Sequence, residues 1–80
     1  MHLREIVDKY LTLAGDYGRP VPLAGFGLPR EEVERIFGIY DEDYHISRFF
    51  HFSNVSGERF RINGFPHTHV SIAPEIQSIL

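Results

Sequence analysis

The chain contains no cysteine among its 80 residues. That absence excludes disulfide staples, thiolate metal ligands and a cysteine nucleophile, and it leaves a core rich in seven Phe and four Tyr to hold the fold. It also makes the cytosol the expected compartment. No apolar run approaches the roughly 20 residues that cross a bilayer. No signal-like apolar stretch follows Met1 to Glu5, so neither membrane insertion nor secretion is expected. Positive charge is scarce too: 8 Lys and Arg stand against 11 Asp and Glu, a formal net charge of −3. Such a balance exerts no overall attraction on a phosphate backbone. A chain this short is expected to form one domain, 1–80, that buries roughly 60% of its unfolded surface around a single core. It leaves little room for a deep active site, so no multi-step enzyme is expected.

What the sequence does contain is hydrophobic periodicity. Leu3, Ile6, Val7, Tyr10, Leu11 and Ala14 recur at steps of three and four, which predicts an amphipathic helix over about 2–14, stopped by Gly15. Residues 19–28, with Pro20, Pro22, Gly25 and Gly27, read as an ordered connector with a short extended piece around Val21 and Leu23. Pro29 suits the first turn of a second helix, Glu31 and Glu32 favour its positive end, Val33, Ile36 and Phe37 form its buried stripe, and Gly38 is its expected stop. Asp41 then caps a third helix over about 42–52, with Ile46, Phe49 and Phe50 inward and Tyr44, Arg48 and His51 outward.

From Glu58 the period changes to two. Phe60 and Ile62, then Thr68, Val70 and Ile72, alternate with polar residues, which predicts a β-hairpin with Phe60 opposite Val70 and Arg61 opposite His69. Pro66 argues against a plain two-residue Asn63-Gly64 turn. The tail from Ala73 to Leu80 has Pro74 at a helix start and Ile76, Ile79 and Leu80 at helical spacing. Phe26, Phe52 and Phe65 have no settled place in this core.

Helix, short extended piece, helix, glycine turn, helix, hairpin: this order over residues 4–72 resembles a winged helix-turn-helix domain. Val33, Phe37, Gly38 and Ile39 match the apolar positions and turn glycine of its helix-turn-helix. The resemblance implies an α+β fold, winged-helix-like, with three helices followed by a two-stranded antiparallel hairpin and a short C-terminal segment. It further implies a non-enzymatic transcriptional or regulatory module whose third helix and wing touch DNA. The contact residues would be Tyr44, Arg48 and His51 on the helix and Arg59, Arg61, His67 and His69 on the hairpin. Six acids, Glu31, Glu32, Glu34, Asp41, Glu42 and Asp43, oppose that docking, so any DNA binding is expected to be weak. The alternative is a protein-interaction module that uses the acidic helix surface, or the apolar tail residues Ile76, Ile79 and Leu80, the latter toward a second copy in a homodimer.

Catalytic and metal chemistry find little support. His67 and His69 lie two apart on a predicted strand, so their rings would point the same way, yet a third ligand is missing and neither metal nor cofactor is expected. Ser47 and His51 lie one helical turn apart, as do Asp41 and His45, but no G-x-S-x-G elbow accompanies them. Gly25-Phe26-Gly27 lacks the Lys-Ser or Lys-Thr of a phosphate loop.

Overall fold

A computed structural model of the chain describes residues 2–42 and 44–80, with the side chains of Tyr44 and His45 outside that description. Helix α1 spans Leu3–Ala14 and buries Ile6, Val7 and Tyr10, as its periodicity predicts. Gly15 closes it in the left-handed conformation, φ 81°, with its N–H returned to the Leu11 carbonyl. The Tyr10 hydroxyl donates to the Arg19 carbonyl at 2.6 Å and accepts from the Arg19 N–H at 3.0 Å, which pins the connector to the helix. That connector holds strand β1, Val21–Pro22, and a 3-10 turn, Leu23–Phe26, whose Leu23 and Phe26 enter the core.

Helix α2 runs Arg30–Glu42, through Gly38 rather than up to it. A helical glycine costs about 1 kcal/mol relative to alanine, and here it is retained because something lies against it. A Cβ at position 38 would sit 3.3 Å from the Asn63 side-chain oxygen, and Asn63 Nδ2 donates to the Gly38 carbonyl at 3.3 Å and to Asp41 Oδ2 at 2.9 Å. The glycine is a landing site, not a stop.

The predicted third helix over 42–52 is replaced by a short helix α3, Tyr44–Ser47, and strand β2, Phe50–Ser53. Strands β3, Phe60–Ile62, β4, Phe65–His67, and β5, His69–Ile72, follow, and a 3-10 helix, Pro74–Ile79, completes the chain. Two antiparallel sheets result: β1-β5-β2 with β5 in the middle, and the β3-β4 hairpin. The winged-helix-like arrangement is therefore corrected. The α+β content stands, but among the described residues there is no long third helix to act as a recognition helix, and the segment expected to complete the wing is the central strand of another sheet.

The expected register is corrected too. Phe60 faces His67 and Ile62 faces Phe65, while Val70 pairs with Val21 on one side and Phe52 on the other. Asn63 and Gly64 form the two-residue turn after all, with φ of 51° and 86°, the left-handed pair that matches strand twist. Pro66 is tolerated because of where it falls. The Arg61 N–H opposite it donates away from β4, to Glu34 Oε2 at 2.7 Å, which marks this cross-strand pair as the one without ladder hydrogen bonds. A missing N–H there loses nothing.

The alternating residues themselves behave as predicted: Phe60, Ile62, Val70 and Ile72 are all buried, in one cluster with the apolar faces of α1 and α2. Helix α2 contacts both sheets, the larger one through Phe37 on Phe50 and Phe52 and the hairpin along β3. Its residues 30, 34, 38 and 41 share one side and follow β3 position by position: Arg30 donates to the Arg59 carbonyl and covers the Phe60 ring, Glu34 takes Arg61 N–H, and Gly38 and Asp41 take Asn63.

Two substitutions separate the turn from the tether. Gly64→Ala, forced to φ 86°, should lower stability by about 1–2 kcal/mol in urea unfolding. Asn63→Gly keeps the backbone conformation and removes only the side-chain bonds to α2, and should cost about 1 kcal/mol. Equal stability of Asn63→Gly and the parent would show that the tether contributes nothing.

Candidate functional site

The residues expected to contact nucleic acid do not converge. Tyr44 lies in α3, its side chain outside the described residues. Arg48 is exposed in the α3–β2 turn, its guanidinium 5.8 Å from the Phe49 ring. His51 is exposed on β2. Arg59 and Arg61 are exposed along β3, but Arg61 is folded onto its own turn, with Nη1 donating to the Gly64 carbonyl at 3.0 Å. Acids are interleaved with them: Arg30 bridges to Glu58 at 2.5 Å and lies 3.9 Å from Glu34. His67 and His69 fall on different strands in different sheets, separated by the bend at Thr68, so they are not a same-strand pair.

His67 is half-buried and stacks on Phe52, ring centroids 4.8 Å apart. Burial lowers its pKa below the ordinary 6.5, partly opposed by the negative charge of Asp41. His69 is held differently. Thr68, the only buried polar side chain among the described residues, accepts from the Val55 N–H at 2.9 Å, donates to the Ser53 carbonyl at 3.3 Å, and lies 2.7 Å from His69 Nδ1.

Strand alternation sets the outer face of the three-stranded sheet. Phe50, Phe52, Val70 and Ile72 point inward, so His51, Ser53, His69 and Ser71 point outward, His51 opposite Ser71 and Ser53 opposite His69, with Pro22 on the far side. This polar face was not expected from the sequence. Its signal was present in the alternation of Phe50-His51-Phe52-Ser53, which competes with a helical reading of the same residues.

A second surface lies on α2. Arg35, Ile36, Ile39 and Tyr40 line an open cleft of about 190 Å³, and Ile39 is 53% exposed. Tyr40 rests at its inner side, where burial and then the charge of Glu5 raise its pKa. Arg35 is clamped to Glu32 at 2.9 Å, and that bond and charge hold the Glu32 carboxyl below its usual range. Glu31 and Glu42 form no ion pair among the described residues. With Gly38 as the expected stop, Ile39 reads as an apolar position of a helix-turn-helix rather than as an exposed residue of α2. Continued through position 38, the 100° step puts Ile39 on the polar side of α2.

Of the expected tail interface, Ile76 is 0% exposed and belongs to the chain's own core, Leu80 is half-buried against that core, and Ile79 is 42% exposed. Gln77 Nε2 donates to the Tyr17 hydroxyl, tying the tail down. The aromatics without a settled place divide: Phe26 is buried, Phe52 half-buried, and Phe65 68% exposed beside the hairpin turn. Among the described residues no three His, Asp or Glu side chains gather as a metal cluster, and no helix is long and apolar enough to cross a membrane. Set against known families, curated proteins and solved structures, the chain matches none of them.

Ile76→Ala should cost about 2–5 kcal/mol through the cavity it leaves, with light scattering unchanged, because the side chain faces its own core. His67 gives a pH signature. Its folded pKa is depressed, so the unfolded chain binds the extra proton first and stability, complete above pH 6.5, falls as the pH drops below it. His67→Phe should flatten that portion of the urea midpoint measured between pH 8 and pH 5.

Proposed function

We propose that the chain is a non-enzymatic protein-interaction module that binds a basic segment of a partner protein, carrying an aliphatic anchor, on the outer side of α2. The observation that carries this reading is Ile39, half-exposed beside an open cleft on a helix whose surface is acidic. On the Ile39 side of α2 the charged residues are Glu31, Glu32, Arg35 and Glu42, and Arg35 is engaged by Glu32, while Glu34 and Asp41 face the hairpin. What remains facing outward is an apolar spot within negative charge. Charge complementarity of that kind selects a Lys- or Arg-bearing partner and speeds its approach, while the aliphatic contact supplies the affinity. The arginines do not converge, with Arg30 engaged by Glu58 and Arg61 by the Gly64 carbonyl, which supports this reading over DNA contact.

The test is a titration of the full chain with an amphipathic Lys/Leu peptide, its Glu/Leu counterpart and a generic DNA duplex, followed by NMR. The Lys/Leu peptide should shift the Ile39 and Tyr40 signals, bind less tightly as salt rises, and lose about 5–30-fold in affinity to Ile39→Ser, the effect of 1–2 kcal/mol. Equal binding of the acidic peptide, or duplex binding that Arg59→Ala with Arg61→Ala abolishes, would refute the proposal.

A further inference from the structure

The outer face of the three-stranded sheet is chemically unlike the rest of the surface: it displays His51, His69, Ser53 and Ser71, and no carboxylate. His51 sits opposite Ser71 and His69 opposite Ser53, so the two histidines are diagonal neighbours on adjacent antiparallel strands. Diagonal positions lie about 7–8 Å apart, with Cβ atoms closer. Two imidazoles at that separation can bring their ring nitrogens to the roughly 3.3 Å spacing that a tetrahedral ion with Zn–N bonds of about 2.0–2.1 Å requires.

His69 is oriented for this by Thr68. A hydroxyl has one proton to donate and two lone pairs to accept with. Oγ1 accepts from the Val55 N–H and sits within reach of the Ser53 carbonyl and of His69 Nδ1. The arrangement that uses its full capacity has the proton on the Ser53 carbonyl and Nδ1–H donating to Oγ1. That tautomer leaves the lone pair of His69 on Nε2, the nitrogen farther from the backbone. A ligating histidine whose second ring nitrogen donates to a fixed oxygen is the usual support around a protein-bound transition metal. The oxygen here belongs to the one buried polar side chain among the described residues.

We propose that His51 and His69 form a two-imidazole site for Zn²⁺ on this face, with water in the remaining coordination positions and Thr68 as the positioning residue. Imidazole suits zinc, while magnesium and calcium are held chiefly by carboxylate oxygens, which this face lacks. The site is separate from the α2 surface and does not depend on it.

The experiment is a ZnCl₂ titration of the full chain in a His2→Ala background, which removes a competing imidazole next to Met1, read by calorimetry and by imidazole ¹⁵N NMR. Saturation at one zinc per chain is expected, with Nε2 of His69 and a ring nitrogen of His51 shifting, and with no response to MgCl₂. His51→Ala and His69→Ala should each weaken binding at least about tenfold, and Thr68→Val by about 10–100-fold. Thr68→Ser, which restores the hydroxyl, should recover most of it even if Thr68→Val proves poorly folded. Absence of saturable binding overturns the proposal. So does zinc uptake that survives His51→Ala together with His69→Ala, or one zinc per two chains.

Discussion

The ring of Phe37 is the point on which the rest of this small structure depends. It is fully buried on α2 and meets Phe26 edge-on at 5.2 Å, Phe50 at 5.9 Å and Phe52 at 6.2 Å. Contacts of this kind contribute about 0.5–1.5 kcal/mol each beyond the area they bury. Their geometric demand matters more. Phe50 and Phe52 are two residues apart, and on a helix they would point about 200° away from one another. Only on a strand do both face the same ring. Satisfying Phe37 therefore ends the helix early and makes residues 50–53 extended. Once β2 is a strand, its inward aromatics need β5 beside it, and the β2–β5 register places His51 and His69 on the opposite face. The polar sheet surface follows from an aromatic contact on its other side.

The hairpin is attached by different means. No long ladder joins it to the larger sheet, and it lies along α2 through Arg30 over Phe60, Glu34 on the Arg61 N–H and Asn63 on the end of the helix. Charged groups of α2, Arg30 and Glu34, are thus used in holding two elements together. Exposed polar contacts of this sort add little stability each. Their geometric effect is clear, since they set which way the hairpin runs. The outer side of α2, pointing away from the hairpin, is left as the acidic surface with its apolar spot.

Much of the local structure was legible in the sequence. The face of α1, its stop at Gly15, the stripe Val33, Ile36 and Phe37, and the inward set Phe60, Ile62, Val70 and Ile72 all follow from period and turn chemistry, which involve only neighbouring residues. What could not be read was pairing. Val70 was assigned to Phe60 when its partners are Val21 and Phe52, because alternation says which face a residue takes and not which strand lies next to it. Gly38 looked like a stop because the reason for it, Asn63, is 25 residues away. The candidate surfaces shared that fate. The His51 and His69 face exists only after β2 and β5 are paired, and Ile39 emerges only if the helix continues past its glycine.

The contact between position 38 and position 63 constrains the evolutionary history of this sequence. An alanine at 38 would relieve the helix of its least favourable residue, yet its methyl group would press on the Asn63 side chain, whose bonds to Gly38 and Asp41 hold the hairpin turn on α2. A change at either position alters what the other meets. In a lineage descended from a common ancestor with this chain, glycine at 38 and asparagine at 63 should be inherited together or exchanged together. A correlated pair separated by that interval would be the trace of this fold in sequences otherwise too diverged to align.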